Sequence, residues 1–491
     1  MKIKLLASTN LSVTKEKILV FPFFSGETIS SGNKELDKKI SLFSDLYLKL
    51  DSGEFRIAFY DQGSFLFLNI GDRKNWKVKE FLLAIRKSVR IIKDNKILNA
   101  SIFLDSLLPQ EDIFSQIVEN ILLAEYDFSK YKKESGFTIN NIEIITSRLL
   151  EAQKGIKRGT VIGESLNFAR DLSNTPGGEM TPSLLATVAV KELSKLKNLR
   201  TEVFNLKKIK ELKMGGILGV SQGSAEEPKM ILVEYLGKKK DKKIDLAFIG
   251  KGLTFDSGGL NIKTGDSMLG MHMDMSGGAS VLAAIRAIAL LNLPINIMCF
   301  IPAVENMSSG NSYRPGDLLR AYNGKIIEVK NTDAEGRIIL ADALSFAVKK
   351  YKPELIIDVA TLTGASVIAL GNRAIAMFTN KDEMESDFRK IGDKSGDIVW
   401  PLPCWDEYQE EIASSFGDVA NTGSNKGVGG AILAAMFLKN FIDGHPWIHL
   451  DIATTMTSIE NQGMAKGATG TGVRYLIQFA QEFEEIKKGL K

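Results

Sequence analysis

An α/β fold in two domains is what the sequence predicts. A small N-terminal α/β domain with a linker helix spans residues 1–165. A larger C-terminal domain, with a mixed, largely parallel sheet flanked by helices, spans 166–491. Three observations predict this. The chain has 491 residues, more than a single domain usually holds. Near-continuous apolar runs of strand length alternate with helical periodicity, the pattern of a sheet covered on both faces. A long helical pattern from Thr146 to Leu172 stops at Asn174-Thr175-Pro176-Gly177-Gly178, where Pro and Gly end a helix and mark a boundary.

In the first part, strands are expected at Ile18 to Phe23, Phe55 to Tyr60, Phe65 to Ile70 and Ala100 to Leu104, and helices near Lys79 to Ile92 and Glu111 to Ala124. No motif there carries chemistry. In the second part, strands are expected at Met230 to Tyr235, Ile244 to Ile249, Ile297 to Val304, Ile326 to Val329, Leu355 to Ala360 and Trp447 to Ile452. Helices are expected at Gly277 to Leu290, Ile338 to Lys349, Gly430 to Phe441 and Gly472 to Glu484. Sheets of this kind bind ligands at loops off the carboxyl ends of strands.

Composition narrows the function classes. A formal charge of +4 over this length does not call for nucleic acid or an anionic membrane as partner. Two cysteines, Cys299 and Cys404, exclude a disulfide framework and a Cys-rich zinc site. The first residues lack the apolar stretch of a secretory signal, and no run approaches the roughly 20 apolar residues of a membrane span. The expected location is the cytoplasm. Only His272, His445 and His449 could serve a His-based site, so attention passes to carboxylates.

Two clusters hold those carboxylates. Gly250-Lys251-Gly252-Leu253-Thr254-Phe255-Asp256-Ser257-Gly258-Gly259 directly follows an expected strand. Lys263 comes next, and Asp274 precedes the helix at Gly277. Asn331-Thr332-Asp333-Ala334-Glu335-Gly336-Arg337 lies between an expected strand and helix. Asp333 and Glu335, two apart in extended chain, would point the same way. Such carboxylates repel unless cations intervene, and two divalent ions would balance the charge of Asp256, Asp274, Asp333 and Glu335. Lys251 would then have to be neutral to act as a nitrogen ligand. Lowering its pKa from about 10.4 to about 7 costs on the order of 4–5 kcal/mol, which metal coordination would offset.

The segments GKGLTFDSGG, MDMSGG and NTDAEGR resemble the signatures of the leucyl aminopeptidase family, cytosolic di-metal exopeptidases. Glu305-Asn306-Met307, Tyr313 to Asp317, Ala360 to Ala365 and Lys466 to Gly470 agree with that family too, so the likeness runs over roughly residues 165 to 485. Near Gly178 the family often has asparagine, a departure that touches no expected ligand. The resemblance implies that Asp256 and Glu335 each touch both metals. Lys251 and Asp274 would complete one shell and Asp333 the other, with Mn2+ or Zn2+ as the usual ions. It implies that Lys263 is the electrophile that meets the developing oxyanion and that Arg337 holds a bicarbonate ion acting as base. The substrate's free amine would bind one metal, which restricts cleavage to N-terminal residues. Met271, Thr361, Leu362 and Gly364 are implied substrate contacts alongside Lys263. The implied partners are peptides and five further copies of the chain in a homohexamer.

Competing motifs are weaker. Gly219-Val220-Ser221-Gln222-Gly223 has the spacing of a serine-hydrolase elbow but no convincing helix after it. Gly467-Ala468-Thr469-Gly470-Thr471-Gly472 lacks the ending of a phosphate loop and reads as a tightly packed helix start. The run Lys238 to Lys243 reads as a solvated loop. A DNA-binding role has no positive support, and a catalytically dead scaffold would lack some of the seven expected residues.

Overall fold

The structure, a computed structural model, describes residues 1–7, 16–60, 63–105, 113–134, 136–238, 241–425 and 427–490. It divides into two compact units, Met1–Asn167 with Ser458–Lys466, and Phe168–Thr457 with Gly467–Lys491. A nine-residue segment late in the chain thus belongs to the first unit, which no sequence pattern announced.

The first unit is built on six strands in the order Lys2–Leu6, Asn141–Ile145, Asn99–Phe103, Lys17–Phe23, Gly63–Asn69 and Phe55–Tyr60. Five run parallel and Phe55–Tyr60 is an antiparallel edge. The central strands Lys17–Phe23 and Gly63–Asn69 are buried along their whole length, which is why they read as unbroken apolar runs. The end strand Lys2–Leu6 has an alternating, half-exposed pattern and was not expected from sequence. Helices Val78–Asp94 and Phe114–Glu125 cover one face. The second helix begins at Phe114, and Glu111, where it was expected to begin, lies outside the described residues. The long helix Leu149–Asn174 approaches Phe114–Glu125 through Gly155, Gly159 and Gly163, one residue per turn. A Cβ at Gly155 would lie 2.3 Å from that of Phe114.

The main sheet of the second unit has nine strands among the described residues. Eight follow the order Val399–Pro401, Ile375–Thr379, Trp447–Asp451, Leu355–Ala360, Leu246–Gly250, Asn296–Asn306, Lys229–Leu236 and Leu199–Phe204, and Gly252–Asp256 pairs beside Asn296–Asn306. Trp447–Asp451, Leu355–Ala360, Leu246–Gly250 and Asn296–Asn306 are mutually parallel; Ile375–Thr379 and Lys229–Leu236 flank them antiparallel, and Val399–Pro401 pairs in parallel with Ile375–Thr379. The mixed, largely parallel sheet flanked by helices is therefore as the sequence predicts. Ser276–Leu291, Glu335–Tyr351, Gly430–Lys439 and Val473–Ile486 are its main helices. Ile326–Glu328 is not part of this sheet. It joins Leu318–Arg320 and Val419–Ala420 in a separate three-stranded one.

One helical run, Gly265–Leu291, is by length and composition apolar enough to cross a membrane, contrary to the sequence count. It is assembled from two 3-10 turns and the helix Ser276–Leu291, and 83% of its apolar window is buried inside the protein as core.

Candidate active site

Four parallel strands end at one edge of the second sheet, and their carboxyl ends bring polar residues there. Lys251 follows Leu246–Gly250, Thr361 follows Leu355–Ala360, and Asp451 and Asn306 close their own strands. Gly252–Asp256 lies along the last residues of Asn296–Asn306, with Asp256 opposite Asn306.

The two lysines and four carboxylates meet there. Lys251 Nζ is 2.7 Å from Asp274 Oδ2 and 3.0 Å from Glu335 Oε1, and donates to Thr361 O at 3.0 Å. Lys263 Nζ is 2.8 Å from Asp256 Oδ2 and 2.5 Å from Asp333 Oδ1. One oxygen from each of Asp256, Asp333 and Glu335 lies within 4.8 Å of the others, a group that could hold a metal ion. Gly336 leaves room for the end of Lys251, because a Cβ there would fall 2.5 Å from Lys251 Cε and push it aside.

The two loops are tied together by polar residues. Asn306 Nδ2 donates to Asp256 Oδ1 at 2.8 Å and to Thr332 O at 3.0 Å, and Tyr313 Oη donates to the same carbonyl at 2.7 Å. Thr332 N donates to Asn261 Oδ1 at 2.8 Å, while Thr332 Oγ1 donates to Gly258 O at 2.7 Å. Asp333 and Glu335 are not in extended chain as expected. Residues 331–334 form a turn, and Glu335 opens the helix Glu335–Tyr351. The carboxylates converge because the turn is pinned to the Asp256 loop, not because of strand alternation.

Electrostatics follow from burial. Asp274 and Glu335 are almost fully buried. Desolvation pushes both carboxyls above their usual range, with Asp256 adding repulsion. Burial pulls Lys251 down, but Asp274, Glu335 and Asp256 outweigh it and hold the ammonium protonated well above the usual lysine range. Lys263 is likewise raised. As long as these ammonium groups are the counter-charges, Lys251 is an ion-pair partner and not the neutral ligand of the sequence expectation. A divalent cation would take over that role. Glu335 Oε2 is buried with no hydrogen-bond partner, the place in this cluster where a cation fits. Carboxylate oxygens with one amine suit Mn2+, Zn2+ or Mg2+. Arg337 is 7% exposed, and burial lowers its pKa to about 10, so it stays charged at neutral pH. Its Nη1 donates to Asn421 O at 2.7 Å, and its Nε is buried without a partner.

Of the remaining expected residues, Thr361 joins the cluster through Oγ1, which donates to Asp274 Oδ1 at 2.6 Å. Leu362 N donates to Asp451 Oδ1 at 3.0 Å, and Thr363 Oγ1 to Asp451 Oδ2 at 2.7 Å, so Asp451 sets the course of the 361–364 segment. Gly364 is exposed, with open space where a Cβ would be. Met271 is half-buried in the turn Met271–Met273. Sequence reasoning missed Asn306, Asn421 and Asp451 as site-building residues. Asn306 and Asp451 did leave a signal, a polar residue ending an apolar strand.

The decoys fall away. Ser221 ends the helix Gly215–Ser221 and donates to Leu218 O, so it is not a strand-to-helix elbow. Gly467 is packed against Asn174, whose Oδ1 would lie 2.4 Å from a Cβ there. In the lysine run, Lys238 pairs with Asp245 and Glu484, while Lys239 and Lys240 lie outside the described residues.

The model of the cytosol aminopeptidase family catalytic domain matches residues 167–477, the stretch that carries every residue of this cluster. The chain belongs to the cytosol aminopeptidase family. A protein named Probable cytosol aminopeptidase from Clostridium tetani is 39% identical over 464 residues, covering 91% of this chain and 95% of that protein. One of the same name from Chromobacterium violaceum is 37% identical, covering 86% and 82%. Among solved structures, the bottromycin maturation enzyme BotP aligns with a TM-score of 0.84 at 28% identity, over 95% of this chain and 99% of that one. BotP in complex with Mn aligns with a TM-score of 0.85 at 27% identity, over 96% and 100%. Membership in the cytosol aminopeptidase family makes the protein a hydrolase of the aminopeptidase class, acting on peptides with divalent metal.

Proposed function

We propose that this chain removes N-terminal residues, leucine and similar apolar residues first, from peptides in the cytoplasm, using two divalent ions, Mn2+ or Zn2+, per subunit. The observation that carries this reading is the convergence of Asp256, Asp333 and Glu335 within 4.8 Å at the carboxyl edge of a parallel sheet, beside the buried Lys251 and the partly buried Lys263. Lys251, Asp256, Asp274 and Glu335 would hold one ion, and Asp256, Asp333 and Glu335 the other. When bound, such ions polarise the scissile carbonyl and activate water.

The chain's own residues do the rest. Lys263 Nζ, which pairs with Asp256 and Asp333, would donate to the carbonyl oxygen as negative charge grows there. Arg337, whose buried Nε has no partner, would hold a bicarbonate ion as the base. Thr361, Leu362 and Gly364 would align the peptide, and Met271 would line the pocket for the first side chain. We further infer a homohexamer, as in the family; exposed apolar residues of the second unit such as Leu269, Ile368 and Phe416 support association.

The test is hydrolysis of a leucine chromogenic substrate by the purified protein, before and after chelation, with Mn2+ or Zn2+ added back. Loss on chelation and recovery on add-back are expected. Full activity in a preparation containing no metal overturns the reading.

A further inference from the structure

Asn421 lies 90 residues beyond the turn that carries Asp333 and Glu335, in a segment to which neither the sequence motifs nor the family likeness assigns a role. It follows the strand Val419–Ala420, which pairs in parallel with Ile326–Glu328, the strand leading into that turn. It is 0% exposed. Its amide is used on both sides. Oδ1 accepts from Lys330 N at 2.8 Å and Asn331 N at 3.3 Å. Nδ2 donates to Asn331 O at 2.6 Å and Ala334 O at 3.3 Å. Its main chain is engaged as well, with N donating to Glu328 O at 3.0 Å and O accepting from Arg337 Nη1 at 2.7 Å.

A turn of residues 331–334 has backbone groups that no helix or sheet ladder satisfies, and buried ones must find partners. Asn421 supplies them with one planar amide. Its contacts bracket Asp333 on both sides and end at the residue before Glu335, so the amide fixes where both carboxylates project. Its carbonyl also fixes the guanidinium of Arg337. We propose that Asn421 is a positioning residue for the metal site, holding Asp333, Glu335 and Arg337 in the geometry that binds divalent cations. This rests on the reading that Asp333 and Glu335 are metal ligands. Partners one layer behind metal ligands typically contribute 10–100-fold to metal affinity.

The experiment needs a variant with an equal structural lesion elsewhere, and the same sheet offers one. Asn296 is also 0% exposed. Its Nδ2 donates to Asp241 O at 2.7 Å and Lys243 O at 3.0 Å, and its Oδ1 accepts from Lys238 N at 3.0 Å. It begins the strand Asn296–Asn306, whose last residue contacts Asp256, so it sits about 33 Å from the site at the rise of an extended strand.

Mn2+ alone is titrated into the full-length wild type, Asn421→Ala and Asn296→Ala, with bound metal measured directly and melting followed in chelator. Both variants are expected to melt lower than wild type. Only Asn421→Ala is expected to bind Mn2+ at least 10-fold more weakly. Should Asn421→Ala not fold, Asn421→Ser, which keeps one hydrogen-bonding group, gives the same reading. Wild-type Mn2+ affinity in the folded Asn421 variant overturns the proposal, as does an equal loss of affinity in Asn296→Ala. A wild-type chain that binds no divalent metal instead overturns the functional reading itself.

Discussion

Gly336 shows how one missing atom can decide a site. It is the second residue of the helix Glu335–Tyr351, where alanine would ordinarily be favoured by roughly 0.5–1 kcal/mol. Its Cβ would meet the end of Lys251 at 2.5–2.9 Å. Gly336→Ala is therefore expected to fold normally, yet lose most of its bound Mn2+ and at least about 100-fold in turnover, as misplacing a catalytic group by about 1 Å does. Metal analysis beside a melting curve checks it; normal metal content would show that Lys251 yields easily. Lys263 poses the opposite case. It pairs with two carboxylates but is assigned no metal, so Lys263→Ala should keep its ions. Turnover is expected to fall about 100- to 1,000-fold, the loss seen when one oxyanion donor is removed. A near-wild-type rate would take Lys263 out of that role.

At the level of elements, Asp342 couples three pieces of chain. It stands on Glu335–Tyr351, 0% exposed, and accepts from Ile217 N at 2.8 Å and Tyr322 N at 2.7 Å. Ile217 is in the first turn of Gly215–Ser221, so the carboxylate caps that short helix from another element. Burial raises the Asp342 pKa to about 7, against the pull of those donors. A raised folded-state pKa means the folded form holds its proton longer than the unfolded chain. The stability from this group is therefore complete below about pH 4 and is lost as pH rises to about 7. Asp342→Asn cannot ionise, so denaturation midpoints of wild type and variant should diverge between these pH values, with the wild type losing more. Asp342→Ala should cost about 3 kcal/mol at low pH, where two N–H groups lose their acceptor, and less as pH rises toward 7 and the wild type itself loses stability.

At the level of the whole molecule, the second unit gathers four carboxylates that repel one another, Asp256, Asp274 and Glu335 buried and Asp333 partly so, and two lysine ammoniums offset only part of that charge. Binding of divalent cations to the folded chain alone should raise stability by about 2.7 kcal/mol for each site at a metal concentration 100 times its dissociation constant. For a protein of this size that is a rise in melting temperature of about 3–4 °C per site. Melting with Mn2+ and then with excess chelator tests this, and an unchanged midpoint would mean the cluster is satisfied by its lysines alone.

The sequence by itself determined the class of fold, most element positions and the two polar clusters that the structure brings together. Each is written locally: the fully buried parallel strands are unbroken apolar runs, and the helices are apolar stretches of helical length bounded by Gly, Pro or polar residues. Lys251, Asp256, Lys263, Asp274, Asp333, Glu335 and Arg337 sit in compact motifs whose spacing survives in one dimension. What the sequence could not reveal depends on pairing between distant segments. The half-exposed end strand Lys2–Leu6 lacks a continuous apolar signal. Ile326–Glu328 joins a small sheet because its partner is Val419–Ala420, about ninety residues away. The turn at 331–334 replaces the expected extended chain because Asn421, Asn306 and Tyr313 supply its hydrogen bonds. The charge state of Lys251 likewise belongs to the tertiary structure alone, since burial and three carboxylates brought from separate loops decide it.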